Sequence, residues 1–115
     1  MKILFVDDRL REIMSLWERS GAINVHELLP LEPFRSIERT CELVTIHQPD
    51  VIFIGFGLGI PTLTGADVIR ALHKQGFKGE IIGNSGGGTT QFEHEGIDLK
   101  KTINRNPKKL KAILL

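Results

Sequence analysis

The apolar residues of this chain fall into short unbroken runs separated by longer stretches with helical spacing. The unbroken runs predict three strands, at Lys2–Val6, Val51–Ile54 and Glu80–Gly83. Alternating apolar and polar residues predict another strand at 23–28, and a weaker pattern predicts a fifth at 99–104. The run Val51–Ile54 is apolar at every position, which is typical of a strand covered on both faces.

Helical spacing of apolar residues predicts five helices between these strands. Their predicted ranges are 9–20, 34–47, 66–74, 90–94 and 107–115. Gly21 is expected to end the first helix, because glycine readily adopts the left-handed conformation found at helix C-termini. Pro107 suits the first turn of the last helix, where the missing N–H has no intrahelical partner to lose.

This alternation predicts an α/β fold in which helices cover both faces of a parallel sheet. Five strands and five helices in 115 residues suit one flavodoxin-like domain over 1–115, a doubly wound (βα)5 sheet with strand order 2-1-3-4-5. Ligands of such folds bind beyond the carboxyl ends of the strands, near the switch between strands one and three. Asp7, Asp8, Gly55 and Ser85 all follow predicted strands, so we expect them at that edge.

Composition and charge exclude several classes of protein. The chain is 41% hydrophobic and 25% charged, with a net charge of +1, as in ordinary globular proteins. Its one cysteine, Cys41, rules out an internal disulfide. No apolar stretch approaches the roughly 20 residues that span a bilayer, and the start MKILFVDD lacks the apolar segment of a signal peptide. We therefore expect a cytoplasmic protein with no membrane partner.

Two adjacent carboxylates, Asp7 and Asp8, end the first predicted strand. Each carboxylate disfavours ionisation of the other, so such a pair needs a cation, a basic side chain or hydrogen-bond donors. The alternative is a solvated acidic turn at the start of the first helix. The pair is the leading candidate for a functional site.

Several short motifs occur in a characteristic order. They are Asp7-Asp8, the segment Gln48-Pro49-Asp50-Val51-Ile52-Phe53-Ile54, then Pro61, Gly65 and Ser85, and finally the spacing of Gly96, Pro107 and Leu110. With these motifs the chain resembles the receiver domain of response regulators over nearly its whole length. The resemblance implies that two acids after strand one hold Mg²⁺ beside an aspartate that ends strand three. That aspartate accepts a phosphoryl group from a sensor kinase, and a hydroxyl after strand four and a lysine after strand five contact the group.

Two of these five receiver groups are absent from the chain. The position of the phosphoacceptor falls on Gly55, and no acidic residue lies between Val51 and Gly65. The position of the lysine falls on Ile103, followed by Asn104 where receivers have proline. Glycine offers no nucleophile for phosphoryl transfer, so these departures predict a pseudo-receiver that is not an enzyme.

The remaining receiver groups are Asp7, Asp8 and the switch-like hydroxyl of Ser85. Without a third carboxylate, Asp7 and Asp8 are expected to bind Mg²⁺ at most weakly, and no other cofactor is expected. Loss of the acceptor removes an anion and loss of the lysine removes a cation, so the two departures compensate in charge. A competing hypothesis keeps phosphoryl transfer and assigns it to an unrecognised nucleophile.

Six basic residues fall between Lys100 and Lys111. In receivers this region docks partners, and the residues predicted to do so here are Lys100, Lys101, Arg105, Lys108 and Lys109. The expected counterpart is an acidic patch on a sensor kinase, an output protein or a second copy of this chain. No aromatic residues are interleaved with the bases, so we expect no nucleic-acid partner. The alternative is a solvated face that complements the dipole of the last helix.

Two glycine-rich segments, 55–65 and 85–90, support a second function. Successive backbone N–H groups in glycine turns form concave anion sites, so these loops suit a small-molecule or nucleotide sensor. Neither segment contains the Gly-Lys-Ser/Thr of a phosphate-binding P-loop. The alternative is that the glycines simply replace bulkier residues of a former active site.

Overall fold

The computed structural model describes residues 1–115, and its strands form one parallel sheet. The strands are β1 (Lys2–Val6), β2 (Glu27–Leu28), β3 (Val51–Ile54) and β4 (Glu80–Gly83), in the order β2-β1-β3-β4. The helices are α1 (Leu10–Ser20), α2 (Ile37–His47), α3 (Gly65–Gln75), α4 (Thr90–His94) and α5 (Pro107–Leu114), with a 3₁₀ turn at Ala22–Asn24. The predicted α/β class and the strand order 2-1-3-4 are confirmed.

The two faces of the sheet carry separate cores, because side chains alternate along each strand. On one face Phe5 and Phe53 stack with ring centroids 4.9 Å apart, and Trp17 of α1 packs edge-on against Phe5 at 6.0 Å. Helices α1 and α5 cover this face. The opposite face packs against α2, α3 and the buried Phe92 of α4. This two-sided burial explains why Val51–Ile54 is apolar throughout.

The register of the strands brings three chain segments into line at the carboxyl edge. Val6 of β1 pairs with Ile54 of β3, which pairs with Gly83 of β4. The ladder continues for one more step, because the backbone N–H of Gly55 donates to the Val6 carbonyl at 3.0 Å and the N–H of Asn84 donates to the Ile54 carbonyl at 2.8 Å. The residues that follow β1, β3 and β4 are therefore neighbours.

The predicted fifth strand at 99–104 is not present as a strand. Thr102 makes a single parallel bridge to Gly83, with hydrogen bonds from the Gly83 N–H to the Lys101 carbonyl and from the Ile103 N–H to the Gly83 carbonyl. Asn104 and Arg105 then take left-handed φ values of 47° and 57°. This turn leads the chain away from the sheet before a ladder can form.

The predicted second strand at 23–28 is wrong in its first half. Gly21 ends α1 at φ 80°, as expected, and the chain enters the 3₁₀ turn, which is closed by the Val25 N–H donating to the Ala22 carbonyl at 3.0 Å. Helix α2 begins at Ile37 rather than at residue 34, because the Ser36 hydroxyl caps it by accepting from the Arg39 N–H at 3.0 Å. No helix of the structure is both long enough and apolar enough to cross a membrane.

Candidate functional site at the carboxyl edge of the sheet

Asp7 directly follows β1 and is almost completely buried, with 2% of its surface exposed. Its Oδ1 accepts a hydrogen bond from the Arg9 backbone N–H at 2.9 Å, whereas its Oδ2 has no partner. Burial raises the pKa of Asp7 above the ordinary 3.8, and the adjacent Asp8 adds to the rise. The Arg9 N–H and the positive charge of Arg105 oppose it. Asp7 is therefore not part of a solvated acidic turn.

The glycine loop, defined as residues 55–65, lies against both acids. A Cβ atom placed on Gly55 would lie 2.9 Å from the Asp7 Oδ2, and one placed on Gly59 would lie 2.9 Å from the Asp8 Oδ2. Gly59 also has a φ of 80°, which side chains rarely adopt. These two glycines therefore let the loop backbone approach the carboxylates closely.

The glycine loop is closed by its own contacts. Gly57 and Thr64 form an antiparallel bridge, and the Gly65 N–H donates to the Phe56 carbonyl at 2.7 Å. Leu58, in the middle of the loop, is 1% exposed and belongs to the core on the α2 and α3 face. A Cβ atom on Gly65 would collide with the carbonyl oxygen of Gly55, so only glycine suits the start of α3. Close packing thus accounts for Gly55, Gly59 and Gly65, whereas a Cβ atom on Gly57 would meet nothing within 4 Å.

The two positions at which the chain departs from receivers differ in surroundings. Gly55 lies at the carboxyl end of β3, and the space that a side chain would occupy there is taken by the Asp7 carboxylate. Ile103 is fully buried in the core on the α1 and α5 face, together with Leu110. Neither position supplies a nucleophile or a cation.

Arg105, which the sequence predicts to bind partners, is half-buried beside Asn84 and Glu12. Its backbone N–H donates to the Asn84 Oδ1 at 2.8 Å, and its guanidinium lies 3.5 Å from the Glu12 carboxylate of α1. The side chain is 30% exposed, and its charge lowers the pKa of Asp7. Arg105 thus places a positive charge near the acid edge, although the lysine of receivers is missing. Both Arg105 and Asn84 escaped the sequence prediction of this edge.

Ser85 is buried, and its hydroxyl serves the loop that follows β4. The Oγ donates to Gln91 Oε1 at 2.9 Å and accepts from the Gly87 N–H at 3.3 Å. No hydrogen bond joins Ser85 to Asp7 or Asp8. The structure therefore brings Asp7, Asp8 and Gly55 together, while the Ser85 hydroxyl is engaged elsewhere.

The four predicted docking lysines are exposed, at positions 100, 101, 108 and 109. Lys101 forms an ion pair with Glu80 at 3.0 Å, and both side chains are about half exposed, so the pair contributes little to stability. The N–H groups of Lys108 and Lys109 donate to the Asn106 Oδ1, which caps α5. We call these four lysines the basic surface; Lys101 lies beside Glu80 at the start of β4, and Lys108 and Lys109 lie in the first turn of α5.

The residues of the acid edge fit Mg²⁺ poorly. No group of three or more His, Cys, Asp or Glu side chains is arranged to hold a metal ion. Asp7 and Asp8 provide carboxylate oxygens, but the unpaired Asp7 Oδ2 is buried against Gly55, and the charge of Arg105 already acts on Asp7. A hard cation at this edge would have to rely on water for most of its ligands.

Comparison with solved structures identifies the class of fold. No protein-family model and no curated protein sequence matches the chain. The receiver domain of Francisella response regulator 1452 superposes with a TM-score of 0.73 at 20% identity, covering 98% of this chain and 92% of that one. The response regulator domain of Thermotoga maritima CheB gives 0.67 at 19% identity, covering 90% and 76%.

A third similar structure belongs to a longer protein, the response regulator PhyR from Brucella abortus. It gives a TM-score of 0.72 at 14% identity, and the match covers 97% of this chain but only 45% of PhyR. The chain thus spans less than half the length of that protein. Together these likenesses show that the chain has the fold of a response-regulator receiver domain.

Replacing Asp7 by Asn is expected to raise the melting temperature at neutral pH. The raised pKa means that the folded state favours the neutral carboxyl of Asp7. The stability that this neutral carboxyl contributes is complete below about pH 3.8 and is lost as the pH rises through the pKa of Asp7 in the folded state. Asn stays neutral and keeps an oxygen that can accept from the Arg9 N–H. The advantage of Asp7→Asn should therefore shrink as the pH falls through the folded-state value and be lost below about pH 3.8.

Thermal unfolding between pH 3 and pH 8 measures this difference, with Asp98→Asn as the control at an exposed carboxylate. The control should change stability by less than about 0.5 kcal/mol at every pH. Equal destabilisation by Asp7→Asn at both ends of the range would contradict the proposed cost of ionising Asp7.

Proposed function

We propose that this chain is a receiver-fold signalling module that does not accept a phosphoryl group and that acts by binding protein partners. The observation that carries the proposal is Gly55 at the carboxyl end of β3, where the Asp7 carboxylate occupies the space of a side chain. The likeness in fold to receiver domains supports a role in two-component signalling.

Phosphoryl transfer requires a nucleophile in line with the donor and positive charge around the transferred group. The glycine loop contains no acid, and the nearest buried carboxylate, Asp7, has a raised pKa that disfavours the nucleophilic ionised form. Ile103 at the lysine position offers no charge to the phosphoryl group. These features argue against an unrecognised nucleophile at this edge.

The basic surface supports partner docking. Its four lysines are exposed, and only Lys101 has an ion-pair partner. An acidic patch on a sensor kinase, an output protein or a second copy of the chain would complement these charges. Charge complementarity of this kind accelerates association and selects among partners.

Ligand sensing through the glycine-rich segments has less support. The N–H groups of Gly55, Gly65, Gly87 and Gly88 already donate to acceptors within the chain. An anion bound through these N–H groups would have to displace their contacts, and an anion at segment 55–65 would also approach the carboxylates of Asp7 and Asp8. We therefore favour protein docking as the function.

Incubation with acetyl phosphate and Mg²⁺ is expected to leave the mass of the intact chain unchanged. The reason is that no carboxylate is positioned at the end of β3 to form an acyl phosphate. Intact-mass spectrometry makes the measurement, with a receiver domain that has its acceptor aspartate in the same tube as the positive control. A phosphoryl adduct on this chain, mapped to any residue of the acid edge, would disprove the proposal.

Charge reversal on the basic surface is expected to weaken partner binding by at least about tenfold, or 1.4 kcal/mol. The test variant carries both Lys108→Glu and Lys109→Glu. The control variant carries both Lys74→Glu and Lys78→Glu, which make the same charge change at the end of α3 and in the turn after it. Acidic residues in the first turn of α5 suit the helix dipole, so the first variant should fold normally.

The binding measurement uses purified dimerisation domains of sensor kinases from the source organism, titrated by biolayer interferometry. Loss of binding confined to Lys108→Glu with Lys109→Glu supports docking on the basic surface. Equal loss in both variants, or no loss in either, would rule out that surface as the docking site.

A further inference from the structure

A cavity of about 310 Å³ opens between α1 and the turn that precedes α5, on the side of the sheet opposite the glycine loop. Its lining includes Arg11, Glu12, Ser15, Arg19, Asn84 and Arg105, and we call it the arginine cavity. None of the receiver motifs in the sequence involves these residues. The cavity adjoins the basic surface at Lys108, which lines a neighbouring cavity together with Arg19, Arg105 and Pro107.

The charges around the arginine cavity are unbalanced. Arg11, Ser15 and Arg19 are spaced four residues apart, so they lie along one face of α1. Arg105 pairs with Glu12 at 3.5 Å, whereas Arg11 and Arg19 form no ion pair. Three arginines against one glutamate leave two positive charges without a partner.

Asn84 lines the arginine cavity and carries a buried hydrogen-bond donor that has no partner. This residue is completely buried, and its Oδ1 accepts from the Arg105 N–H at 2.8 Å, which defines the other end of the amide as Nδ2. The Nδ2 has no acceptor in the protein, and only one other buried side-chain atom, Asp7 Oδ2, shares that condition. A buried donor without a partner is destabilising, so an acceptor supplied by a ligand would recover that energy.

We propose that the arginine cavity binds the phosphate group of a small molecule. Guanidinium groups match phosphate oxygens with paired hydrogen bonds, and a phosphate dianion would balance the two unpaired charges. Asn84 Nδ2 lies buried in the lining, so a small movement of this amide would let one further oxygen accept from it. The volume lies at the lower end for small-molecule sites, which suits inorganic phosphate or a compact phosphomonoester rather than a large cofactor.

This site does not depend on partner docking at the basic surface, and it would make the module responsive to a metabolite. Arg105 connects the arginine cavity with the carboxyl edge of the sheet, because it lines the cavity and its charge also lowers the pKa of Asp7. Binding of an anion at Arg105 is therefore expected to change the pKa of Asp7 at the carboxyl edge of the sheet.

The test is a titration of the ¹⁵N-labelled full chain with inorganic phosphate, phenyl phosphate and adenosine 5′-monophosphate at constant ionic strength. We expect saturable shifts of the Asn84 side-chain amide and of the Nε–H signals of Arg11, Arg19 and Arg105. Tighter binding of either ester than of inorganic phosphate assigns the site to a phosphomonoester. Equal or tighter binding of inorganic phosphate assigns it to free phosphate.

Matched variants separate a specific site from general attraction. Arg19→Gln should weaken binding about tenfold, and Arg35→Gln, which removes the same charge from the segment before α2, should change it less than about twofold. Absence of saturable shifts up to roughly 20 mM, a concentration at which even millimolar affinity would be seen, would overturn the proposal. Equal weakening by the two variants would overturn it as well.

Discussion

The parallel register of β1, β3 and β4 is the constraint on which the rest of this molecule depends. It places the residues after these strands side by side, so that Asp7, Gly55 and Asn84 share one edge. At the centre of that edge glycine has no side chain, and the Asp7 carboxylate fills the space. A glycine after β3 thus permits the burial of an acid after β1, and the backbone of the glycine loop closes over both acids.

Charge at this edge is balanced in a way that the sequence pattern did not reveal. A receiver has an anion after β3 and a lysine after the fifth strand, and both are missing here. Arg105 introduces a positive charge from a neighbouring left-handed turn, held by Asn84 and paired with Glu12. The charge of Arg105 lowers the pKa of Asp7, but burial raises that pKa by more. Arg105 of the same turn also lines the arginine cavity.

Sequence patterns predicted the bounds of strands and helices best where local residue type alone determines where an element begins and ends. The bounds of β1, β3, β4 and α4 agree with prediction, because apolar runs define β1 and β3 and nearby glycines limit β4 and α4. The fifth strand failed because one bridge to Gly83 does not make a ladder, and two consecutive left-handed residues are hard to foresee from Asn104 and Arg105. Asp7, Asp8 and Gly55 were correctly placed at one edge by topology. Asn84 and Arg105 were not placed at this edge, because the hydrogen bond that joins them links residues 21 positions apart in the sequence.

The central claim is that the acid edge keeps the receiver fold without the receiver switch. Amide NMR spectra recorded with Mg²⁺, and then with Mg²⁺ and beryllofluoride, test it most directly, because beryllofluoride imitates the phosphoryl group on an acceptor aspartate. We expect no saturable shifts at Asp8, Ser85 or along α5 on adding beryllofluoride. Saturable shifts that extend from Asp8 to α5 would mean that the switch still works, and the claim would be wrong.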